Sequence, residues 1–230
     1  MDSAPPDSSQ RSLLAYTVPM AAFLLFLAAT ALAKKIGGSV WLASAEYWIY
    51  PLQTIVCGGL LIGFWRRYES LRPRAVWLAI LAGLFVFALW ISPQQFFRQP
   101  ARRVGFNPEM FIAWPVAYWF TIVLRFVRLV VVVPLVEEIF WRGFLLRYLI
   151  DEKFSRVPFG MFSWISFGAV TLGFTFVHSA PDWIAAFITG ALYNCVAYRT
   201  KSLGSCVIAH ATTNLLLGLW IVMTKQWGFW

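Results

Sequence analysis

Residues 118–141, YWFTIVLRFVRLVVVVPLVEEIFW, decide the fold class of this chain. The stretch is long enough to cross the hydrocarbon core of a bilayer, which takes about 20 apolar residues in a helix. It nevertheless contains four ionisable side chains, Arg125, Arg128, Glu137 and Glu138. A charge inside a membrane costs several kcal/mol unless it is paired or used. The stretch therefore predicts a membrane helix whose charged residues need an explanation.

The composition of the whole chain is also typical of a membrane protein. Of its 230 residues, 60% are hydrophobic and only 13% are charged, and the mean hydropathy is +0.68. The 13 Trp, 21 Phe and 8 Tyr suit helix ends at the two headgroup layers. The net charge is +9, and the basic residues occur in short clusters between apolar runs. This pattern is typical of loops that anchor membrane helices and not of a groove that binds nucleic acid. We therefore expect the bilayer, and no nucleic acid, as a partner.

Apolar windows along the chain predict an all-α fold, a polytopic transmembrane helical bundle of about seven spans. The windows are residues 13–33, 47–65, 75–91, 118–141, 159–178, 183–198 and 203–223. Residues 1–12 are polar and predict a disordered tail, and residues 13–230 form one predicted transmembrane domain. The first window ends at Lys34 and Lys35 without a cleavage pattern, so we interpret it as a retained anchor.

Lysine and arginine counts favour a cytoplasmic N-terminus, because basic residues accumulate in the inner loops. With that orientation eleven basic residues lie inside and six outside. The inner ones are Arg11, Arg66, Arg67, Arg72, Arg74, Arg142, Arg147, Lys153, Arg156, Arg199 and Lys201, and the outer ones are Lys34, Lys35, Arg98, Arg102, Arg103 and Lys225. From the compact chain we predict a multi-pass protein of a bacterial inner membrane.

Helix geometry separates the two adjacent glutamates. Glu138 and Arg142 are four residues apart with the acid first, which is the favourable order for an ion pair on one helix face. Glu137 projects about 100° away, toward Trp141, and has no basic residue at that spacing. A carboxylate without a local partner is a candidate general base. The alternative left open is that Arg142 or Arg147 neutralises both acids.

The only two histidines of the chain also lie in apolar runs. His178 ends the run FGAVTLGFTFVH, and His210 stands four residues before Asn214, so that these two share a helix face. A lone buried histidine is usually structural. Two histidines, an asparagine and an unpaired glutamate, on three separate spans with almost no other buried polar groups, favour a functional site.

Three motifs follow one another in the second half of the chain: EEIFWR at 137–142, FTFVH at 174–178 and HATTN at 210–214. Their order resembles the CPBP family of intramembrane proteases, which includes the type II CAAX prenyl endopeptidases (Rce1-like) and bacterial Abi relatives. The resemblance covers residues 133–218, which we interpret as the catalytic core.

The resemblance implies a role for each motif residue. Glu137 and His178 would activate a water molecule for attack on a peptide bond, and His210 and Asn214 would stabilise the oxyanion. Glu138 and Arg142 would be supporting groups, and the ring of Phe174 would pack against His178. The implied substrate is a membrane-anchored protein or peptide, and prenylated C-terminal peptides are what the best-known relatives cut. No cofactor is implied.

Two alternatives to a metal-independent glutamate protease remain open in the sequence. Glu137, Glu138, His178 and His210 could instead bind zinc or iron in a metal-dependent hydrolase, although H-E-x-x-H is impossible with these histidines. The protein could also be a non-catalytic immunity or scaffold protein, in which the polar groups only lock helices together.

The depths in the membrane that we expect from the sequence differ among the candidate residues. At 1.5 Å per residue from the inner face, we expect Glu137 at ~20 Å, His210 at ~10 Å and Asn214 at ~17 Å. A helix that starts near residue 159 places His178 at ~25–30 Å.

Overall fold

The computed structural model describes residues 8–230, with side chains from residue 12 onward. Within that range it contains helices and no strand, which confirms the predicted all-α polytopic bundle. Seven helical segments longer than ten residues correspond to the seven predicted windows. They are α1 (Ser8–Ile36), α2 (Glu46–Phe64), α3 (Val76–Gln95), α4 (Pro115–Tyr148), α5 (Trp164–Phe176), α6 (Trp183–Thr200) and α7 (Leu203–Thr224).

Five of these segments, α1 to α4 and α7, are long and apolar enough to cross a membrane. The other two fall short of that standard: α5 is apolar but has only 13 residues, and α6 carries several polar side chains. Helix α1 begins at Ser8, inside the predicted tail 1–12, and residues 1–7 of that tail lie outside the described residues.

The fifth helix begins five residues later than the window 159–178 predicts. Gly160 has a φ of +73°, a left-handed conformation that interrupts a helix, and its carbonyl accepts a hydrogen bond from Lys201 Nζ. The helix starts only after Ser163, whose hydroxyl accepts a hydrogen bond from Ser166 N at 3.5 Å and so caps the first turn.

Helix α4 is longer than predicted and is not regular. It runs over 34 residues and contains two π-helical stretches, Arg128–Val132 and Ile139–Leu145, on either side of a short α-helical piece, Val133–Glu138. Pro134 lies at the start of that piece, where its missing N–H removes a backbone hydrogen bond. Such π turns absorb local irregularity in a helix and occur often at functional sites. Both glutamates lie between them.

Helices α3 and α7 approach so closely that Gly83 of α3 has no room for a side chain. A Cβ at this position would lie 2.6 Å from Ala209 O and 2.7 Å from Thr212 Cβ, both on α7. The neighbouring Thr213 donates a hydrogen bond to Gly83 O at 2.9 Å. The contact therefore fixes the position of the part of α7 that carries His210.

We predict that Gly83→Ala lowers the free energy of unfolding by about 1–3 kcal/mol, because α7 must shift to admit the methyl group. The thermal midpoint in detergent measures the change. Gly58→Ala in α2 is the matched control, since nothing lies within 4 Å of its Cβ position. Equal midpoints for the two variants would contradict the prediction.

Candidate active site

One cavity of about 470 Å³ is lined by all four predicted catalytic side chains, Glu137, His178, His210 and Asn214. Glu137 comes from α4, His178 from the turn after α5, and the other two from α7. Ser179, Asp182, Phe229 and Trp230, from the turns after α5 and α7, also line the cavity. In the alternating order of spans that the sequence predicts, these turns lie at the end of the bundle opposite to the start of α1.

The different depths expected from the sequence do not separate the four residues. Helix α5 begins at Trp164, so that His178 lies 14 residues, about 21 Å, from its start rather than ~25–30 Å. His178 also follows the last helical residue, in a turn that closes with its N–H on Thr175 O at 3.1 Å. The later helix start and this turn bring His178 to the same cavity as Glu137.

Glu138 is at the centre of a fully buried polar network. One of its oxygens, Oε1, accepts hydrogen bonds from Arg142 Nη1 at 3.0 Å and from His210 Nδ1 at 2.9 Å. Arg142 also donates to Asn194 Oδ1 at 3.1 Å and to Gly190 O at 3.0 Å, both on α6. The predicted ion pair between Glu138 and Arg142 thus forms, and it joins three helices.

Glu137 is separate from this network. Its side chain is 8% exposed, and its Oε2 is buried without a hydrogen-bond partner. No ion pair of Glu137 occurs in the part of the chain that the structure describes. Arg147, which the sequence offered as a second neutralising group, instead bonds to Gly143 O and to Glu69. The two glutamates therefore differ as helix geometry predicts.

The surroundings of His178 fix the orientation and tautomer of its ring. Its Nδ1 lies 2.7 Å from Phe174 O, and a carbonyl oxygen only accepts, so Nδ1 carries a proton and donates it. In the neutral ring Nε2 is then left as the basic nitrogen. The ring packs against Phe174 and Trp90, with centroids 4.8 Å and 5.6 Å away. The contact with Phe174 agrees with the sequence prediction.

His210 and Asn214 each have a fixed partner. Glu138 Oε1 accepts a hydrogen bond from His210 Nδ1, so Nε2 is the ring nitrogen left for another partner. Asn214 Nδ2 donates to Leu129 O at 2.8 Å, in the first π-helical stretch of α4. This leaves one amide hydrogen of Asn214 free to serve another acceptor.

Sequence reasoning missed the contribution of α6 to the site. Tyr193 forms a hydrogen bond of 2.7 Å with Thr213, and Thr189 accepts one of 3.0 Å from Trp90 Nε1. These side chains and Asn194 recur at helical spacing within an otherwise apolar segment, and that pattern was the available signal. These polar side chains of α6 contact α3, α4 and α7, and Thr189 and Tyr193 also line the cavity.

No cluster of three or more histidine, cysteine or acidic side chains suited to a metal ion occurs among residues 12–230. The shared oxygen of Glu138 already has a guanidinium and an imidazole as partners, and such neighbours oppose a dication. Glu137, Glu138, His178 and His210, which the sequence leaves open as a zinc or iron site, are not found as such a cluster among these residues.

Breaking the buried network from one side should be costly. We predict that Arg142→Leu lowers the free energy of unfolding by about 3–5 kcal/mol, because Glu138 stays buried without its guanidinium partner. Adding Glu138→Leu should recover part of the loss, since it removes the stranded charge. Thermal midpoints of both variants test this, and a single variant as stable as the parent protein would contradict it.

Comparison with known proteins gives one family match. Residues 119–216 match the family model described as type II CAAX prenyl endopeptidase Rce1-like. The matched segment contains all six residues that the sequence singled out for the site. No curated protein and no solved structure matches the chain significantly.

Proposed function

Residues 119–216 belong to the Rce1-like family of CAAX prenyl endopeptidases, and from this we propose that the protein is a metal-independent glutamate-type intramembrane endopeptidase. Its substrate would be a membrane-anchored protein or peptide, with the prenylated peptides named in the family description as the first class to test. The observation that carries the proposal is the unpartnered carboxylate of Glu137 in one cavity with His178.

The proposed reaction begins with a water molecule between Glu137 and His178. The carboxylate of Glu137 accepts a proton from the water molecule while the water oxygen attacks the carbonyl carbon of the scissile amide. The C–N bond then breaks, and the proton passes to the departing amine. His178 contributes Nε2, which accepts and returns protons because Nδ1 is held by Phe174 O. The products are a free carboxylate and an amine, without a covalent enzyme intermediate.

His210 and Asn214 are the proposed donors to the developing oxyanion. Donors fixed in advance in a site of low dielectric constant stabilise the charge of the transition state more than water does. Glu138 accepts the hydrogen bond from His210 Nδ1, and Arg142 holds Glu138 in turn, so that His210 would donate to the oxyanion through a protonated Nε2. In this scheme Glu138 and Arg142 are positioning residues, which agrees with their complete burial.

Helices and family together indicate a multi-pass membrane protein. We further propose a bacterial inner membrane and a cytoplasmic N-terminus, from the distribution of lysine and arginine. With that orientation the cavity lies toward the outer end of the bundle. A substrate with a lipid anchor would reach it from the bilayer, and water from the adjacent turns.

Glu137→Gln should reduce kcat for a farnesylated CAAX peptide by about 10²–10⁴-fold, because an amide cannot accept the proton of the attacking water. Cleavage by purified protein in nanodiscs measures this. The control is Glu109→Gln, which removes a carboxylate from a partly exposed ion pair with Lys225 outside the cavity. A folded Glu137→Gln protein with the turnover of the parent would overturn the proposal. If every cavity variant unfolds, the non-catalytic scaffold role is favoured instead.

Activity should survive prolonged exposure to a strong chelator, because the described carboxylates and imidazoles form no metal-ligand cluster. The measurement is the cleavage rate before and after dialysis against excess 1,10-phenanthroline. Loss of activity that added zinc restores would favour the metal-dependent hydrolase.

A further inference from the structure

Arg125 and Arg128 are charged residues of α4 that line the cavity and that the proposed reaction does not use. Both line the cavity that contains Glu137, and their side chains are almost completely buried, at 4% and 5% exposure. Neither forms an ion pair with any carboxylate in residues 12–230. Two guanidinium ions buried without a counter-ion are expensive to keep. They are therefore expected to meet an anion that the protein itself does not supply.

The surroundings of the two side chains hold them in place without neutralising them. The ring of Tyr50 lies 4.8 Å from the guanidinium carbon of Arg125 and 4.4 Å from that of Arg128. Arg128 Nε donates to Gln53 Oε1 at 2.8 Å, and Gln53 in turn donates to Phe23 O. Aromatic rings and a neutral amide orient a guanidinium ion, but they leave its full charge.

Hydrogen-bond donors of both arginines remain free. Aromatic rings cover the guanidinium faces, and the N–H groups point outward in the plane. Nε and Nη1 of Arg125 have no hydrogen-bond partner, and within the described chain neither Nη of Arg128 donates a hydrogen bond. Planar pairs of such donors match the two oxygens of a carboxylate.

The nearest acidic residues do not change this balance. Glu46 attracts Arg125 electrostatically but is not within ion-pair distance of it, and its carboxylate is paired with Lys34 Nζ at 2.8 Å. Glu137, the proposed catalytic base, attracts Arg128 electrostatically without forming an ion pair with it. Among the residues described, no carboxylate lies within ion-pair distance of either arginine.

We propose that Arg125 and Arg128 form an anion subsite that binds the free C-terminal carboxylate of the peptide that Glu137 cleaves. The proposal rests on the function proposed above and extends it to the end of the substrate. Arg128 precedes Glu137 by nine residues, about 13 Å along the helix, which corresponds to about four residues of extended chain. This spacing suits the C-terminal CAAX peptides named in the family description.

The first test measures binding without turnover. Two farnesylated CAAX peptides with the same sequence, one ending in a carboxylate and one in a carboxamide, are titrated into the Glu137→Gln protein in neutral-lipid nanodiscs. We expect about tenfold or greater preference in Kd for the carboxylate, since hydrogen bonds to charged groups are strong. Arg128→Gln in the same background should bring the ratio of the two Kd values close to one.

Two variants keep the binding test specific. Arg66→Gln, which changes an exposed arginine outside the cavity, should leave the preference intact. Arg128→Lys should retain part of it, because the charge stays while the planar fork is lost. If the arginine variants do not fold, the comparison of the two peptides on the Glu137→Gln protein still decides. Equal Kd values there overturn the proposal.

A lipid phosphate is the competing source of an anion. The titrations are therefore repeated in nanodiscs that contain anionic lipid and in the presence of inorganic phosphate. Equal affinity for the two peptides, together with a strong effect of Arg128→Gln on the response to anionic lipid, would assign the subsite to lipid and overturn the proposal. A carboxylate preference that persists in both lipid mixtures supports it.

Turnover by the wild-type protein separates this proposal from the proposed function. If neither peptide is cleaved while the carboxylate peptide binds preferentially, the protease function fails and the carboxylate subsite stands. If both peptides are bound and cleaved equally, the protease function stands and the subsite fails. Cleavage of the carboxylate peptide with a much lower KM than the carboxamide peptide supports both.

Discussion

The hydrogen bonds that Glu138 accepts from Arg142 and His210 are the constraint on which the rest of the site depends. All three groups lie inside the bundle, where an ion without partners is unstable, so each requires the others. Arg142 extends the network to α6, and His210 anchors α7. The relative positions of three helices are thereby determined by the same contacts that orient the proposed oxyanion donor.

Helix α4, which carries Glu138 and Arg142, is irregular on both sides of the glutamates. A regular α-helix repeats every 3.6 residues. The π-helical stretches of α4 depart from this repeat and change the direction in which successive side chains point. The first stretch also releases a backbone carbonyl, that of Leu129, which Asn214 uses as its acceptor. The distortion of α4 and the side chain of Asn214 on α7 therefore belong to one arrangement. Pro134 lies between the two π-helical stretches of α4.

The sequence was sufficient for much of this structure because the decisive patterns are local. Apolar windows locate the helices, and a spacing of four residues predicts the contact between Glu138 and Arg142. The partnership of Glu138 with His210 could not be predicted, since it joins positions 72 residues apart and depends on how α7 packs against α4. The same holds for Asn194. The depth of His178 was misjudged because the left-handed turn at Gly160 delays the helix start, which hydropathy does not reveal.

The shortness of α5 bears on how water reaches a reaction inside a bilayer. Its 13 residues extend over about 20 Å, whereas the hydrocarbon core is about 30 Å thick. A bilayer accommodates such hydrophobic mismatch by thinning around the short segment. His178 lies in the turn after this helix, so such thinning would draw the headgroup boundary toward His178 and the proposed attacking water. The short helix would then make local membrane thickness a determinant of the proposed hydrolysis.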